Sequence, residues 1–225
     1  MAGTTKVTKK KPAAKPASLS SKLASNTVLQ RAELKAFHHN DGQYPDLGFV
    51  RYWWEGDGPR AGITDKVLKK FQPVPDPEDP EAITAARTDL LLPCDAQADY
   101  MDVRHLLERF DAKLPTSEKH AYLQITLKYP HATNVHGPFE QARAFGWDYL
   151  VLGRRLATII AVHVPFLAGS QNPLHVHLIS PLRRIGALGW GEMETRIQND
   201  RGRAEVFEAW TRFRGRWGEP LDASG

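Results

Sequence analysis

The stretch ATIIAVHVPFLAGSQNPLHVHLISPL, residues 157–182, decides the fold of this chain. It contains two apolar segments, ATIIAVHVPF at 157–166 and LHVHLISPL at 174–182, separated by a loop of Gly, Ser, Asn and Pro. Apolar, β-branched segments bounded by turn-forming residues are typical of buried strands. Because the connection is short, we expect the two strands to pair antiparallel as a hairpin.

Three histidines lie on this predicted hairpin. His175 and His177 are one residue apart and therefore point to the same face of their strand, and His163 of the other strand can face them across the ladder. A single core histidine is usually only hydrogen-bonded, but three buried rings need partners, and a divalent metal would satisfy one nitrogen of each. The pattern predicts a metal site with open coordination positions, which is typical of catalysis. In each ring, the nitrogen that does not bind the metal is the outer nitrogen. We expect carboxylates to accept hydrogen bonds from the outer nitrogens, and the candidates are Asp148, Glu192 and Glu194.

The rest of the chain supplies further strands and several helices. Apolar spacing and residue preference predict strands at 48–54 and 120–129. The segments predicted to be helical are 26–39, 63–71, 81–92, 98–112, 137–156 and 202–218. The proline-rich segment 72–80 is a surface loop, and the glycine-rich segment 186–193 is a flexible flank. This order predicts an α+β fold with a mostly antiparallel central sheet and helices covering one face of it.

The length of 225 residues fits one domain with a tail. Residues 1–25 are rich in Lys, Ala, Ser, Thr and Pro and have no apolar period, so we expect a disordered basic arm followed by a single domain at 26–220. The arm either contacts nucleic-acid phosphates, with Lys9, Lys10 and Lys11 at its centre, or only keeps the protein in solution.

Charge and cysteine usage limit the function classes. The net charge of +4 and the pI of about 9.2 permit nucleic-acid binding without proving it. The single cysteine, Cys94, excludes an internal disulfide and a thiolate-rich zinc site, and it fits a reducing compartment. No apolar run approaches the roughly 18 residues needed to span a bilayer, and the first residues lack the apolar core of a secretory signal. We therefore expect a cytoplasmic protein with no membrane span.

Three pieces of the central stretch carry a resemblance to a known family: AVHVP at 161–165, GSQNP at 169–173 and HVHLI at 175–179. Together they resemble the third motif of the MobA/MobL-type plasmid mobilisation relaxases, which belong to the HUH endonuclease group. The resemblance covers roughly residues 48–190 and is specific only at the motif. Leu174 is a departure, because it adds a residue between the Asn-Pro pair and the histidine pair.

The resemblance implies an HUH-endonuclease-like fold in which the three histidines hold Mg²⁺ or Mn²⁺ against the scissile phosphate. It also implies that a tyrosine attacks and becomes linked to the 5′ phosphate, that the substrate is single-stranded DNA at a transfer origin, and that accessory mobilisation proteins are partners. Tyr52, at a strand end before an acidic-glycine turn, is the first candidate nucleophile, followed by Tyr44 and Tyr100. Alternatively, Tyr52 is an ordinary aromatic residue of the sheet. The segment 63–71, where MobA/MobL-type enzymes would carry a tyrosine, has none.

Two pairs of arginines flank the two histidine strands. Arg154 and Arg155 precede the first strand, and Arg183 and Arg184 follow the second. We expect them to frame the metal site and contact DNA phosphates, unless they are simply solvated ends of helices and loops.

Three functions compete at this point. The first is metal-dependent, site-specific nicking of single-stranded DNA in plasmid mobilisation. The second is a degenerate relaxase-like protein that binds DNA without cutting it. The third is a histidine-triad-like nucleotide hydrolase, but such enzymes need a third histidine where this chain has Ile179.

Overall fold

The computed structural model describes residues 31–39 and 44–218. The predicted basic arm at 1–25, its lysines Lys9, Lys10 and Lys11, and the first part of the predicted helix at 26–39 lie outside the described residues.

A six-stranded sheet forms the centre of the fold, and its order is β1-β2-β4-β6-β5-β3. Every neighbouring pair in it is antiparallel. The strands are β1 (Glu33–His39), β2 (Leu47–Glu55), β3 (Arg87–Leu91), β4 (His120–Tyr129), β5 (Thr158–His163) and β6 (Leu174–Pro181). The predicted α+β class with an antiparallel central sheet is therefore confirmed.

Four α-helices and a small hairpin complete the described part of the chain. The helices are α1 (Thr64–Leu68), α2 (Val103–Lys113), α3 (His136–Phe145) and α4 (Asp200–Arg216). Helix α3 continues through a wider π-helical segment, Gly146–Leu152, which leads into β5. The hairpin consists of β7 (Arg183–Gly186) and β8 (Gly189–Met193) and forms a separate two-stranded sheet. Among the helices of residues 31–39 and 44–218, none is both long enough and apolar enough to cross a bilayer.

Helices cover both faces of the sheet, so the prediction of one covered face is wrong. Phe139 and Phe145 of α3 and Trp210 of α4 belong to the core on one face, whereas Val67 of α1 and Leu107 of α2 belong to the core on the other. The reason is that β5 and β6 are apolar on both sides, and a strand of this kind must be buried on both faces.

Two edge strands were predicted as helices, and the structure corrects both predictions. Within the predicted helix at 26–39, the described part forms β1, and within 81–92 the residues Arg87–Leu91 form β3. Each pairs with a neighbouring strand, β1 with β2 and β3 with β5. The hydrogen bonds and packing that this pairing provides outweigh weak helix propensities. The segment 186–193, predicted as a flexible flank, contributes to the β7–β8 hairpin.

Candidate metal centre

The β5–β6 hairpin brings the three predicted metal ligands together. His163 lies directly opposite His175, and His177 lies two residues farther along β6, opposite Ala161. Because side chains alternate between faces, His163, His175 and His177 all project from the same face of the sheet. The loop between the strands turns at Gly169, whose φ of +72° is favourable for glycine. The predicted convergence of the three rings is therefore confirmed.

The three imidazole rings form a compact cluster at the loop end of the hairpin. Their centroids are 5.2 Å apart for His163 and His175, 4.5 Å for His163 and His177, and 4.9 Å for His175 and His177. One nitrogen of each ring can be chosen so that all three lie within 4.8 Å of one another. Nitrogens that bind one cation at about 2.0–2.1 Å are roughly 3–3.5 Å apart, so the rings need to close by only about 1–2 Å.

An oxygen atom holds the outer nitrogen of each ring. Nε2 of His163 donates to the carbonyl oxygen of Lys70 at 2.7 Å, and Nδ1 of His175 donates to the carbonyl oxygen of Pro173 at 2.9 Å. Nδ1 of His177 lies 3.0 Å from the hydroxyl oxygen of Thr126. The nitrogens that are left to bind a metal are Nδ1 of His163 and Nε2 of His175 and His177. This arrangement fits a divalent cation, since metal-binding histidines usually donate their other nitrogen to an oxygen.

The prediction that carboxylates hold the outer nitrogens is wrong, because two backbone carbonyls and a threonine hydroxyl do so. Glu194 accepts hydrogen bonds from Arg184 and from the backbone of Arg196 instead. Asp148 lies in the π-helical segment before β5, and Glu192 lies on β8 after the end of β6. In an antiparallel hairpin both of these positions are at the opposite end from the histidines.

Burial keeps the three imidazoles neutral. The exposed fraction is 9% for His163 and 6% for His177. Burial lowers the pKa of His163, His175 and His177 below the ordinary value of 6.5, most strongly for His177. The charge of Lys70 lowers the pKa of all three rings further. Neutral rings are the form that binds a metal, so little proton competition is expected at neutral pH.

Tyr52, the predicted nucleophile, lies on the same face of the sheet but away from the histidines. In the row of strand positions that contains His177, β4 contributes Thr126 and β2 contributes Gly48. Tyr52 is four residues farther along β2, which is about 13 Å in the strand direction. Its ring is 6% exposed and stacks on Tyr122 at 4.1 Å between centroids. Burial raises the pKa of Tyr52 above 10, which opposes formation of the nucleophilic phenolate.

The other two candidate tyrosines also lie away from the cluster. Tyr44 packs on Phe207 of α4 at 4.6 Å, in the core of the opposite face. Tyr100 packs beside Trp190 of the β7–β8 hairpin, with 6.1 Å between ring centroids. Neither position is adjacent to the histidines.

The four predicted DNA-binding arginines do not frame the metal site. Arg154 and Arg155 precede the start of β5 and Arg183 and Arg184 follow the end of β6, whereas the histidines lie where the two strands meet their loop. Each arginine has partners within the protein: Arg154 bonds Tyr149, Arg155 pairs with Asp95, Arg183 bonds the Gly191 carbonyl, and Arg184 pairs with Glu194. A role in DNA binding for them stays a prediction, and so does one for Lys9, Lys10 and Lys11.

Sequence reasoning missed three residues around the cluster: Lys70, Thr126 and Lys128. Thr126 and Lys128 are the β4 partners of His177 and His175, respectively. The spacing of two in Thr126-x-Lys128 matches the spacing of the histidine pair, and this signal becomes readable once β4 is placed beside β6. Nothing in the sequence pattern indicates that the carbonyl of Lys70 meets His163.

Comparisons with known proteins support the fold. No protein-family model and no curated protein matches the chain. A chain of a solved structure described as "Molecular Basis of Vancomycin Resistance Transfer in Staphylococcus aureus" is similar, with a TM-score of 0.50 and 15% sequence identity. The match covers 67% of this chain and 81% of the other. The match shows that the two chains share a fold, and it does not single out the MobA/MobL type.

Proposed function

We propose that this chain is a relaxase-like protein that nicks single-stranded DNA at a transfer origin and uses Mg²⁺ or Mn²⁺ to do so. One observation carries the proposal: three neutral imidazoles converge on one face of the sheet, each with its outer nitrogen hydrogen-bonded to an oxygen or within hydrogen-bonding distance of one. A similar fold occurs in a protein studied for the transfer of vancomycin resistance, which is consistent with a role in DNA transfer.

Phosphodiester cleavage needs positive charge near the reacting phosphate. A divalent cation at the three histidines would polarise a phosphoryl oxygen and offset the charge of the transition state. Lys128, the strand partner of His175, and Lys70, whose charge acts on all three rings, add positive charge at the same end of the sheet. A DNA strand bound there would be held by its phosphates.

The nucleophile of the proposal is a tyrosine. Its hydroxyl loses a proton and its oxygen bonds the phosphorus, while the bond from phosphorus to the 3′ oxygen of the upstream nucleotide breaks. That 3′ oxygen takes up a proton and leaves as a hydroxyl, and the 5′ phosphate of the downstream strand stays on the protein. Tyr52 has to leave its stack on Tyr122 to reach a phosphate at the histidines. This placement also favours a second candidate function, in which the protein binds DNA at the site without cutting it. Accessory mobilisation proteins would be partners in either case.

The test uses single-stranded DNA circles that carry the sequence flanking this gene, incubated with Mn²⁺. We expect linear products with protein attached to the 5′ end. His175→Ala should abolish cleavage, and Tyr52→Phe should abolish the adduct. Tyr100→Phe is the matched control, since Tyr100 is also buried but packs beside the β7–β8 hairpin.

Each remaining outcome is informative. Cleavage by Tyr52→Phe without an adduct would show that Tyr52 and the covalent route are both wrong. Salt-sensitive binding by the wild type without cleavage under any divalent metal would support the binding protein and contradict nicking.

A further inference from the structure

A cavity of about 610 Å³ opens beside the histidine end of β4, and no step proposed above uses it. Its walls come from the end of β4, the loop that leads into α3, the residues before β2, and the end of α4. Cavities of this size bind small organic ligands, and a nucleotide falls within the range.

Three large aromatic residues form part of the wall of the cavity. Tyr129, Trp210 and Trp217 all line it, and Trp217 keeps 44% of its surface exposed. The carboxylate of Asp46 accepts a hydrogen bond from the indole of Trp210 at 3.3 Å and pairs with Arg214. The positive charge of Arg214 therefore offsets the negative charge of Asp46, so Asp46 does not make the cavity repel a phosphate-bearing ligand.

Polar groups occur at a few positions of the same cavity. Asn134 and Gln141 contribute amides, and His131 contributes a ring. The hydroxyl of Tyr129 is buried in the wall and has no hydrogen-bond partner among the residues that the structure describes. Flat aromatic surfaces with a few amide groups are the chemistry that binds an unstacked nucleobase, because the rings stack on it and the amides bond its edge.

The cavity and the histidine cluster lie at the same end of the sheet but on opposite faces of it, and Lys128 is near both. This residue is the strand partner of His175, it lines the cavity, and its Nζ donates to the carbonyl oxygen of Pro45 at 3.3 Å. Tyr129 follows directly and pairs with Leu174, just before His175. Because side chains alternate, Tyr129 points to the opposite face of the sheet from His175, toward the core that contains Trp210. A DNA strand whose phosphate lies at the histidines therefore has to bend around this end of the sheet to place a base in the cavity.

We infer that this cavity binds an unstacked base of single-stranded DNA, from the same strand whose phosphodiester lies at the three histidines and beyond the point where that strand passes the end of the sheet. The inference rests on the proposed function for the identity of its ligand. It assigns Trp217 as the exposed stacking surface, and Lys128 as the cation between the base and the phosphate.

The test measures binding separately from cleavage. The full chain without metal is titrated into a short fluorescein-labelled single-stranded oligonucleotide of mixed sequence, and binding is followed by fluorescence anisotropy. Trp217→Ala should raise Kd by roughly 5-fold to 150-fold, the loss expected for one base–aromatic stack. Trp217→Phe keeps a stacking ring and should retain most of the affinity. Trp147→Ala is the matched control, because Trp147 is similarly exposed, at 38%, but lies in the π-helical segment before β5.

The outcomes separate this inference from the proposed function. Loss of affinity in Trp217→Ala but not in Trp147→Ala supports the base site, even if the wild type cuts no DNA with Mn²⁺. Wild-type affinity in Trp217→Ala, together with nicking by the wild type, overturns the base site and leaves the proposed function intact. Equal losses in Trp217→Ala and Trp147→Ala, or no binding of the oligonucleotide by the wild type, also overturn it. Trp217 is half-exposed, so an unchanged melting temperature is expected and verifies that the variant is folded.

Discussion

Replacing Thr126 with valine tests whether the outer nitrogen of His177 is held for metal binding. The hydroxyl oxygen of Thr126 lies 3.0 Å from Nδ1 of His177 and accepts a hydrogen bond from Nε2 of Gln124 at 3.2 Å. With a cation on Nε2 of His177, the ring carries its proton on Nδ1, and this proton is donated to the same oxygen. Valine matches the shape of threonine but accepts neither bond.

The size of the effect follows from these two contacts. Each neutral hydrogen bond contributes about 0.5–1.5 kcal/mol, and a buried donor left without a partner costs about 1–3 kcal/mol. Because Thr126 is only partly buried, we expect Thr126→Val to lower the free energy of unfolding by about 1–3 kcal/mol. Loss of an oxygen that orients a metal-binding histidine typically weakens metal binding by about 10–100-fold.

Calorimetric titration with Mn²⁺ gives the metal affinity, and urea unfolding gives the stability. Thr126→Ser keeps the hydroxyl and should bind Mn²⁺ nearly as the wild type does. Thr158→Val is the matched control, because the buried hydroxyl of Thr158 contacts Ser180 at 3.0 Å, near the other end of β5. It should lower stability and leave Mn²⁺ affinity unchanged. If Thr126→Val binds Mn²⁺ with wild-type affinity, this hydroxyl does not orient His177 and our account of the site is wrong.

Two further predictions concern stability. The pKa of His177 is lowered by burial, so the ring binds a proton more readily in the unfolded chain than in the folded one. The free energy of unfolding of the metal-free protein should therefore fall as the pH falls below about 6.5. In urea unfolding between about pH 7.5 and about pH 5, His177→Gln should make this dependence on pH less steep. An equally steep dependence in the variant would show that His177 is not the group that titrates. Glu194, whose side chain is 1% exposed, accepts from Arg184 at 2.9 Å and from the backbone of Arg196 at 3.0 Å. Glu194→Ala should cost about 1–3 kcal/mol in urea unfolding and leave Mn²⁺ affinity unchanged, whereas reduced affinity would show that the two ends of the sheet are coupled.

The histidine hairpin could be predicted because its information is local. Alternation along LHVHLIS fixes which residues share a face, and a short loop fixes which strand lies next to it. The two strands were predicted at 157–166 and 174–182 and are observed at Thr158–His163 and Leu174–Pro181. The rings of His163, His175 and His177 therefore meet as the sequence indicates.

The edge strands could not be predicted in the same way, because their structure depends on partners far along the chain. The β1 segment ELKAFHH has residues that favour helices, and its exposed Phe37 gives no clean alternation. It becomes a strand because β2 offers it a ladder of backbone hydrogen bonds from Glu55 to Phe49. The β3 segment depends in the same way on β5.

The prediction that the arginines frame the metal site is wrong for a reason that can be read from the sequence. In an antiparallel hairpin, the residue before the first strand and the residue after the second strand lie at the open end. His163 and His175 lie at the loop end, so Arg155 and Arg184 had to be a strand's length away from them. The cations that do lie near the histidines come from β4 and from the segment after α1, namely Lys128 and Lys70.

The nucleophile is harder to predict than the metal ligands, because its position depends on the register between β2 and β4. That register places Gly48 beside Thr126 in the row of His177, and it places Tyr52 beside Tyr122. Tyr52 would enter the row of His177 only if β2 slid by four residues, which would break its hydrogen bonds with both neighbouring strands. A change of register therefore does not bring the hydroxyl of Tyr52 to the histidines. Rotation of the Tyr52 side chain out of its stack would expose an aromatic ring that is now 6% accessible, and it would not by itself span the roughly 13 Å along β2 that separate Tyr52 from the row of His177. A protein that forms the 5′ adduct through Tyr52 must therefore open this stack and also move this part of β2 toward the histidines when DNA binds, whereas one that keeps the sheet intact here can only bind DNA.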